Sequence, residues 1–265
     1  MNELRKLLLG ILGEKNYLAF LASSFQALYR RSMVGKDYQD IYFLKRIINE
    51  GFYCIDIGAH LGYYTMELSR LVKNSGRVYA VEPISKFHNT LNHLLQKKKI
   101  QNVILYQRAM GGESDYVEMG IPQIKKMKKF AYARIMNPDD QLEYSESESI
   151  RNESGDALFH SIPRLDFIKC DVEGREIPVF ISMIHTINTF KPIILCELAD
   201  KGERIKLYRL LLPLGYNVFY LENKKLWKMD PQSDKRPVSH NHYFIPTDHE
   251  HRLAAFIEFH ASSAR

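Results

Sequence analysis

The sequence predicts an α/β fold built around a doubly wound, mostly parallel sheet. Short apolar runs alternate with amphipathic segments, and glycine or proline residues bound many of these runs. The first such unit is an apolar strand at Tyr53–Ile57, followed by a turn that contains Gly58 and Gly62 and then by a helix. Further strands are expected at 77–81, 103–107, 116–119 (a short additional one), 165–170, 193–197, 217–221 and 243–245.

Helices are expected between the strands because apolar residues recur there at intervals of three and four. Ser85 is a plausible N-cap for the second of these helices, and a further helix is expected from Glu203 to Leu212. The apolar positions are Leu61, Tyr64, Leu68 and Leu71 in the first helix and Phe87, Leu91, Leu94 and Leu95 in the second.

Chain length and composition suggest one large domain with small appendages, since 265 residues with 45% hydrophobic content can form a substantial core. We expect an N-terminal helical extension over residues 1–50, the main domain over 51–246 and a helical tail over 247–265. Residues 120–156 break the pattern, being first basic and then acidic and serine-rich. They predict an insertion that lies over the substrate side as a lid or, alternatively, a mobile surface excursion.

Charge and cysteine content narrow the function classes. The formal net charge of +6 permits an acidic partner, but mild basicity is common and we expect no nucleic-acid recognition. Cys54, Cys170 and Cys196 each lie in an apolar run and match no zinc spacing, so they predict reduced core thiols and a cytoplasmic location. No stretch has the pattern of a signal peptide or the length of a membrane span.

The N-terminal helices allow two interpretations. They can cap the sheet edge or cover the substrate cleft, or they can rest on a membrane surface or on a partner subunit of a homo-oligomer. The sequence favours the first interpretation. A second helix is expected from Gln39 to Ile48. The first helix places these residues on one face: Leu18, Leu21, Phe25, Leu28 and Tyr29.

The first glycine turn indicates a nucleoside ligand without phosphates. A dinucleotide fingerprint needs G-x-G-x-x-G, but His60 occupies the second glycine position, which argues against NAD. The carboxylate of Asp56 suits a cationic ligand, and Glu82 at the end of the next strand can accept both hydroxyls of a ribose. A nucleoside with a positive centre describes S-adenosylmethionine.

Three motifs in order resemble the FkbM family of S-adenosylmethionine-dependent methyltransferases. They are the segment from Asp56 to Thr65, the Val81-Glu82-Pro83 segment and the segment from Asp166 to Gly174. The resemblance is strong over about residues 51–200. It implies a Rossmann-like methyltransferase sheet of seven strands with the last one antiparallel. The sequence departs from the family pattern at His60, usually Asn, and at Gly155, usually Leu.

The resemblance also implies which residues bind the cofactor. The glycine turn and the ends of the first four strands supply them, because ligands of doubly wound sheets lie beyond the carboxyl ends of the strands. The expected contacts are Asp56, Gly58, Ala59, His60, Gly62, Thr65, Glu82, Arg108, Ala109 and Asp171.

Acidic residues at the end of the fourth strand suit deprotonation of an acceptor hydroxyl. Asp171 is the leading candidate for the base, with Glu173 and His60 as further catalytic candidates. An alternative is that Asp171 and Glu197, with Glu173 as a further oxygen donor, bind Mg²⁺ that lowers the pKa of the hydroxyl. Equally, Glu173 or Glu197 can be paired with Lys169, Arg175 or a backbone N–H.

The function expected from these residues and the resemblance is O-methylation of a small molecule or of a sugar or glycan precursor. Two rivals remain: a nicotinamide-dependent reductase on a similar sheet and a non-catalytic nucleoside-binding module. Binding of S-adenosylhomocysteine but not NADH would exclude the first rival, and turnover would exclude the second.

Overall fold

The computed structural model describes residues 2–35, 38–112, 114–125, 127–137, 142–231 and 240–258. The helices are α1 (Asn2–Arg30), α2 (Gln39–Ile47), α3 (Tyr63–Val72), α4 (Ser85–Lys97), α5 (Gly155–Leu158), α6 (Glu176–Ser182), α7 (Ile184–Phe190), α8 (Lys201–Leu211) and α9 (Glu250–Leu253). The strands are β1 (Tyr53–Ile57), β2 (Arg77–Val81), β3 (Val103–Tyr106), β4 (Ala109–Met110), β5 (Tyr116–Ile124), β6 (Met127–Lys128), β7 (Arg134–Ile135), β8 (Glu143–Glu153), β9 (Phe167–Cys170), β10 (Ile193–Glu197), β11 (Tyr216–Glu222), β12 (Lys225–Lys228), β13 (Asn241–Pro246) and β14 (Ile257–Glu258).

The main sheet confirms the predicted α/β class. Its strand order is β14-β12-β11-β13-β10-β9-β1-β2-β3, with β1 parallel to both β2 and β9. The strand β13 lies antiparallel between β10 and β11, as the resemblance implied. Alternate residues of β1 are buried on both faces, with Ile55 and Ile57 in one cluster and Cys54 in the other. This explains why these strands are continuous apolar runs in the sequence.

The sheet has nine strands rather than the seven expected. The extra strands, β12 and β14, extend the edge beyond β11. In β12 only Leu226 is fully buried, and β14 is two residues long. Neither is long or apolar enough to show a strand period in the sequence. The helical tail expected over 247–265 therefore contains β14 as well as helical turns, and residues 259–265 lie outside the described part of the chain.

The insertion at 120–156 forms part of a second sheet of order β4-β8-β5-β6, with β7 also pairing with β5. Its main unit is a long antiparallel pair, β5 and β8, in which Tyr116 faces Arg151 and Gln123 faces Glu143. The strand β8 was not predicted because its sequence is acidic and serine-rich, with only Ile150 and Asn152 buried. A strand with one solvated face and polar residues on both faces carries little periodic signal.

The N-terminal helix α1 packs between α4 and this second sheet. Tyr17, Leu18 and Ala22 are buried in a cluster with Phe87 and Ile121. The helix is interrupted at Gly13, where φ is 69° and ψ is 162°. Leu28, expected on the packed face, is 41% exposed. Leu4, Leu7 and Ile11 are exposed as well.

Two further observations concern the cysteines and the helices. Cys54, Cys170 and Cys196 are free and buried, as predicted. Among the described residues, no helix combines the length and apolar character needed to cross a bilayer.

Candidate active site

A cavity of about 800 Å³ lies where β1, β2, β9 and β10 end. These strands are parallel, so their carboxyl ends meet at one edge of the sheet, where the strand order reverses between β1 and β9. Most of the sequence-predicted site residues line this cavity: Asp56, Gly58, Ala59, His60, Glu82, Asp171, Glu173 and Glu197. Gly62, Thr65, Arg108 and Ala109 lie outside the lining described for it.

The two glycines of the first turn have different structural roles. Gly58 has a φ of 80°, and a Cβ there would lie 1.9 Å from the backbone oxygen of Asp171. Gly58 therefore lets β1 and β9 end close together. Gly62 has a φ of 81°, but the space beside its Cα is filled by Leu91, whose Cδ1 would lie 2.3 Å from a Cβ. The missing Cβ of Gly62 thus serves packing against α4 and not the approach of a ligand.

Asp56 is oriented by Thr65, which explains why both belong to one motif. The Thr65 hydroxyl donates to Asp56 Oδ2 at 2.5 Å, and Thr65 is fully buried. Burial raises the pKa of Asp56, an effect that the nearby Lys169 opposes. Asp56 Oδ1 is buried and has no hydrogen-bond partner among the described residues. Thr65 therefore acts through Asp56, whereas Asp56 itself has an oxygen left for a ligand.

Glu82 is held at the cavity by backbone groups. Its Oε2 accepts the His60 N–H at 2.7 Å, and its Oε1 accepts the Ile84 N–H at 2.8 Å. Glu82 is only 3% exposed, and burial raises its pKa to about 8 even though these hydrogen bonds act in the opposite direction. Each oxygen keeps a lone pair for another donor.

His60 adopts an unusual backbone conformation at the cavity wall. Its φ is 48°, in the left-handed region that non-glycine residues rarely adopt and that clusters at functional sites. Burial lowers the pKa of His60 to about 4, so the ring is neutral at pH 7. The ring centroid lies 4.3 Å from that of Phe87, with the two ring planes tilted by 58°, and the buried Nε2 of His60 lacks a partner in the described part of the chain.

Lys169 forms an ionic core with the acids beside it. It is 2% exposed, donates to Asp171 Oδ2 at 2.8 Å, and places its Nζ 4.9 Å from the ring centroid of Tyr64. Burial alone would lower the pKa of Lys169, but Asp171 and Asp56 raise it. Burial would raise the pKa of Asp171, whereas Lys169 and a hydrogen bond from Glu197 hold it below its usual value. Burial and Asp171 raise the pKa of Glu197 to about 7, so the proton of that hydrogen bond belongs to Glu197.

Glu173 is the least constrained carboxylate of the cavity. Its only described ion pair is a long one, 3.7 Å from Glu173 Oε2 to an Arg134 nitrogen. Burial raises the pKa of Glu173 to about 7, and the charges of Asp171 and Glu197 add to this.

The loop that carries Glu173 is fixed from behind by Glu176. Glu176 Oε1 accepts the N–H groups of Val172 at 3.1 Å and of Gly174 at 3.2 Å. Glu173 itself has a φ of 55°, a second non-glycine residue in the left-handed region at this edge. The backbone thus holds Glu173 at the cavity in a conformation that most residues avoid.

Comparisons with known proteins agree with this arrangement. A family model described as "Methyltransferase FkbM domain" matches residues 56–223, more than half of the chain. The chain belongs to the FkbM methyltransferase family. The match begins at Asp56 and includes the second sheet and the strands β9 and β10. A search of curated protein sequences found no match.

Solved structures with a similar fold include other methyltransferases. An FkbM methyltransferase from Methylobacillus flagellatus is 17% identical, with a TM-score of 0.49 over 84% of this chain and 58% of that one. An S-adenosylmethionine-dependent O-methyltransferase from Thermotoga maritima is 14% identical, with a TM-score of 0.43 over 78% of this chain and 63% of that one. Aeropyrum pernix fibrillarin with natively bound S-adenosylmethionine is 11% identical, with a TM-score of 0.44 over 78% of this chain and 73% of that one. The chain spans less than two thirds of the first two, and likeness at this level says nothing of what the chain binds.

The residues of this FkbM site fit a ligand that combines hydroxyl donors with positive charge. Asp56 keeps an unpartnered buried oxygen, and Glu82 keeps acceptor capacity on both oxygens. Carboxylates outnumber cations at the sheet edge, where Lys169 is already paired with Asp171. The cavity volume of about 800 Å³ lies within the range of ligand sites.

The FkbM site gives no support to the Mg²⁺ that the sequence suggested at Asp171 and Glu197. Within the described residues, no group of three or more His, Cys, Asp or Glu side chains has a geometry that could hold a metal ion. Asp171 is instead paired with Lys169 and hydrogen-bonded to Glu197. The sequence suggested Lys169 as a possible ion-pair partner of Glu173 or Glu197. In the structure, Lys169 pairs with Asp171 instead.

Arg108 and Ala109 lie in an adjoining region. They line a smaller cavity of about 30 Å³, whose wall shares Gly58 and Pro83 with the main one. Arg108 donates to Glu153 Oε2 at 3.2 Å, which ties it to β8. Their contact with an adenine stays a prediction, and this smaller space would have to widen to hold the ring.

None of the side chains that form the outer wall of the cavity was predicted individually from the sequence. They come from α1 and from the segment after β6, neither of which belongs to the main sheet: Arg5, Tyr17, Leu21, Lys129, Phe130, Ala131, Tyr132 and Ala133. The sequence had offered a cover over the substrate side as one alternative for α1 and as one for the 120–156 insertion, and residues of both line the cavity. No local pattern singles out which side chains do so.

Proposed function

We propose that this FkbM protein transfers a methyl group from S-adenosylmethionine to a hydroxyl of a small molecule or of a sugar or glycan precursor. The observation that carries the proposal is Glu82, buried at the end of β2 and fixed by two backbone N–H groups, with free acceptor capacity at the cavity. Such a carboxylate is suited to two vicinal hydroxyls of a ribose. When bound, S-adenosylmethionine supplies an electrophilic methyl group on a positively charged sulfur.

Binding and orientation are assigned to the residues at the ends of β1 and β2. Glu82 accepts the ribose hydroxyls, and Asp56 Oδ1 accepts from a cationic group of the ligand. Gly58 and His60 shape the turn that follows β1. Holding two reactants in line is worth about 7–11 kcal/mol in favourable cases, so alignment is the main contribution expected of the protein.

The proton of the acceptor hydroxyl is assigned to Glu173, ahead of Asp171. A base works best when its pKa is near the operating pH, and the pKa of Glu173 is about 7. Asp171 is ionised but already bound by Lys169 and Glu197, which lowers its pKa and makes it a weaker base. The role proposed for Asp171 is electrostatic: its negative charge favours the positively charged sulfur of the cofactor. His60 is neutral at pH 7 and is kept as a candidate contact to the acceptor.

The acceptor class is proposed from the side chains at the end of β9. Among the described residues, the end of β9 has no amide or aromatic pair to receive an exocyclic amine. It presents carboxylates, which suit a hydroxyl. The buried unpaired cysteines support a cytoplasmic location for the reaction.

The proposal is tested by incubating the protein with methyl-labelled S-adenosylmethionine and a fractionated cell extract. We expect label in small molecules or glycans, in a form that resists the mild base that hydrolyses methyl esters. A reaction without protein is the control. Label found only in protein or RNA would refute the acceptor class, and no transfer to any fraction would favour a non-catalytic binding role.

A further inference from the structure

The cavity has two chemically different sides. The floor at the sheet edge presents carboxylates, whereas the outer wall presents the cations Arg5 and Lys129. Arg5 comes from the first turns of α1, and Lys129 directly follows β6. A cofactor with a positive sulfur matches the floor, so the cations of the outer wall call for a different ligand group.

Neither of these two cations is neutralised by a carboxylate in the described part of the chain. Arg5 donates to the backbone oxygen of Lys128 at 2.7 Å and lies over the ring of Phe130 at 5.2 Å. This contact uses one of the five N–H donors of its guanidinium. Lys129 is half-buried, and its ammonium group has no ion pair or hydrogen bond to a described residue.

The neighbouring lysines show that charge in this region is otherwise neutralised. Lys86 and Lys128 each contact both Glu14 and Glu146. These two lysines do not belong to the described cavity lining, whereas Arg5 and Lys129 do. Of the cations near the outer wall, Lys86 and Lys128 thus have carboxylate partners and lie outside the lining, whereas Arg5 and Lys129 have none among the described residues and belong to the lining.

Aromatic side chains line the same cavity as the two cations. They include Tyr17, Tyr38 and Tyr132, of which Tyr132 is 51% exposed. Aromatic faces pack well against the C–H groups of a ring, and their hydroxyls donate to ring oxygens. The outer wall therefore combines ring-binding surfaces with an anion-binding pair.

We propose that Arg5 and Lys129 form a subsite for a phosphate group carried by the hydroxyl acceptor, so that the acceptor is a phosphorylated sugar or a similar phosphorylated ring. This inference rests on the proposed function, since it specifies the acceptor of that reaction. Arg and Lys are the side chains best suited to a phosphate, and hydrogen bonds between charged groups are the stronger class. Glu173 lines the same cavity, so a ring held by its phosphate at the outer wall shares that cavity with the proposed base.

The test measures binding by calorimetry to protein saturated with S-adenosylhomocysteine. The probes are glucose 6-phosphate, glucose and inorganic phosphate. The variants are Arg5→Gln and Lys129→Gln, with Lys125→Gln as the matched control, because Lys125 is an exposed lysine outside the cavity lining. We expect glucose 6-phosphate to bind at least tenfold tighter than glucose, and each cavity variant to lose about tenfold of that affinity. Lys125→Gln should stay within twofold of the wild type.

Three outcomes would overturn the subsite. They are equal affinity for glucose and glucose 6-phosphate, an equal loss in Lys125→Gln, and a tenfold loss of S-adenosylhomocysteine affinity in Arg5→Gln and Lys129→Gln. The last would assign the cations to the carboxylate of the cofactor. Thermal unfolding shows whether each variant is folded. If Arg5→Gln disturbs α1, the result for Lys129→Gln decides the test. If the wild-type protein does not bind S-adenosylhomocysteine at all, the proposed function itself is refuted.

Discussion

Replacing Glu82 with glutamine is expected to weaken binding of S-adenosylhomocysteine by about 100-fold or more. Glutamine keeps the shape of the side chain but cannot ionise, and it gives one end two N–H donors. The pKa of Glu82 is about 8, so the comparison is made at pH 9, where the wild-type side chain is a carboxylate. In the wild type, Glu82 accepts hydrogen bonds from the backbone N–H groups of His60 and Ile84. In the variant, one of these N–H groups faces the NH₂ group of the glutamine and loses its acceptor. Hydrogen bonds to a charged group contribute about 1.5–3 kcal/mol each, and each 1.4 kcal/mol is tenfold in affinity.

The measurement is the rise in melting temperature with added S-adenosylhomocysteine, followed by calorimetry. Wild-type protein at about 100 times the dissociation constant should gain roughly 2.7 kcal/mol of stability, whereas NADH should give no gain. Glu118→Gln, an exposed carboxylate of β5, is the control and should behave as wild type. An unchanged affinity in Glu82→Gln would show that the ribose is not held at the end of β2.

Replacing Glu173 with glutamine is expected to lower kcat by about 10²–10⁴-fold, the usual contribution of a general base. In the wild type the rate should fall about tenfold per pH unit as the pH drops below about 7. The pKa of Glu173 is raised to about 7, so the carboxylate that accepts the proton is lost below that pH. Glu173→Gln has no group to titrate there and should lose this acid limb.

The pH profile of methyl transfer shows whether Glu173 or a neighbouring carboxylate is the base. It is measured with the acceptor fraction that takes up label. Asp171→Asn should reduce the rate while keeping an acid limb, because Glu173 is still present. It should also shift that limb to lower pH, because the charge of Asp171 helps to raise the pKa of Glu173. An unchanged limb near pH 7 in Glu173→Gln would assign the base to another group, with Glu197 the next candidate.

The sheet edge and its acids were predictable because local sequence determines them. Strands buried on both faces are apolar runs, and Asp56, Glu82, Asp171 and Glu197 stand at or next to their ends. Parallel strands then bring these positions together whatever the detailed packing. The positive φ of Gly58 was likewise predictable from a glycine that ends a strand.

The rest of the site depends on contacts between segments that are far apart in the chain. The role of Gly62 needed the position of Leu91 on α4. Lys169 was weighed only as a partner of Glu173 or Glu197, and the structure pairs it with Asp171. Arg5 and Lys129 reach the cavity only because α1 packs against the second sheet, whose strand β8 has no apolar period.

We expect the carboxylate edge of β1, β2 and β9 to bind the adenosine and the sulfur of S-adenosylmethionine. A crystal structure of the protein grown with S-adenosylhomocysteine would show this at atomic detail. The ribose hydroxyls should lie on Glu82 and the sulfur beside Asp171 and Glu173. A ligand bound elsewhere, or this edge filled by side chains or by a phosphate-bearing nucleotide, would contradict this expectation.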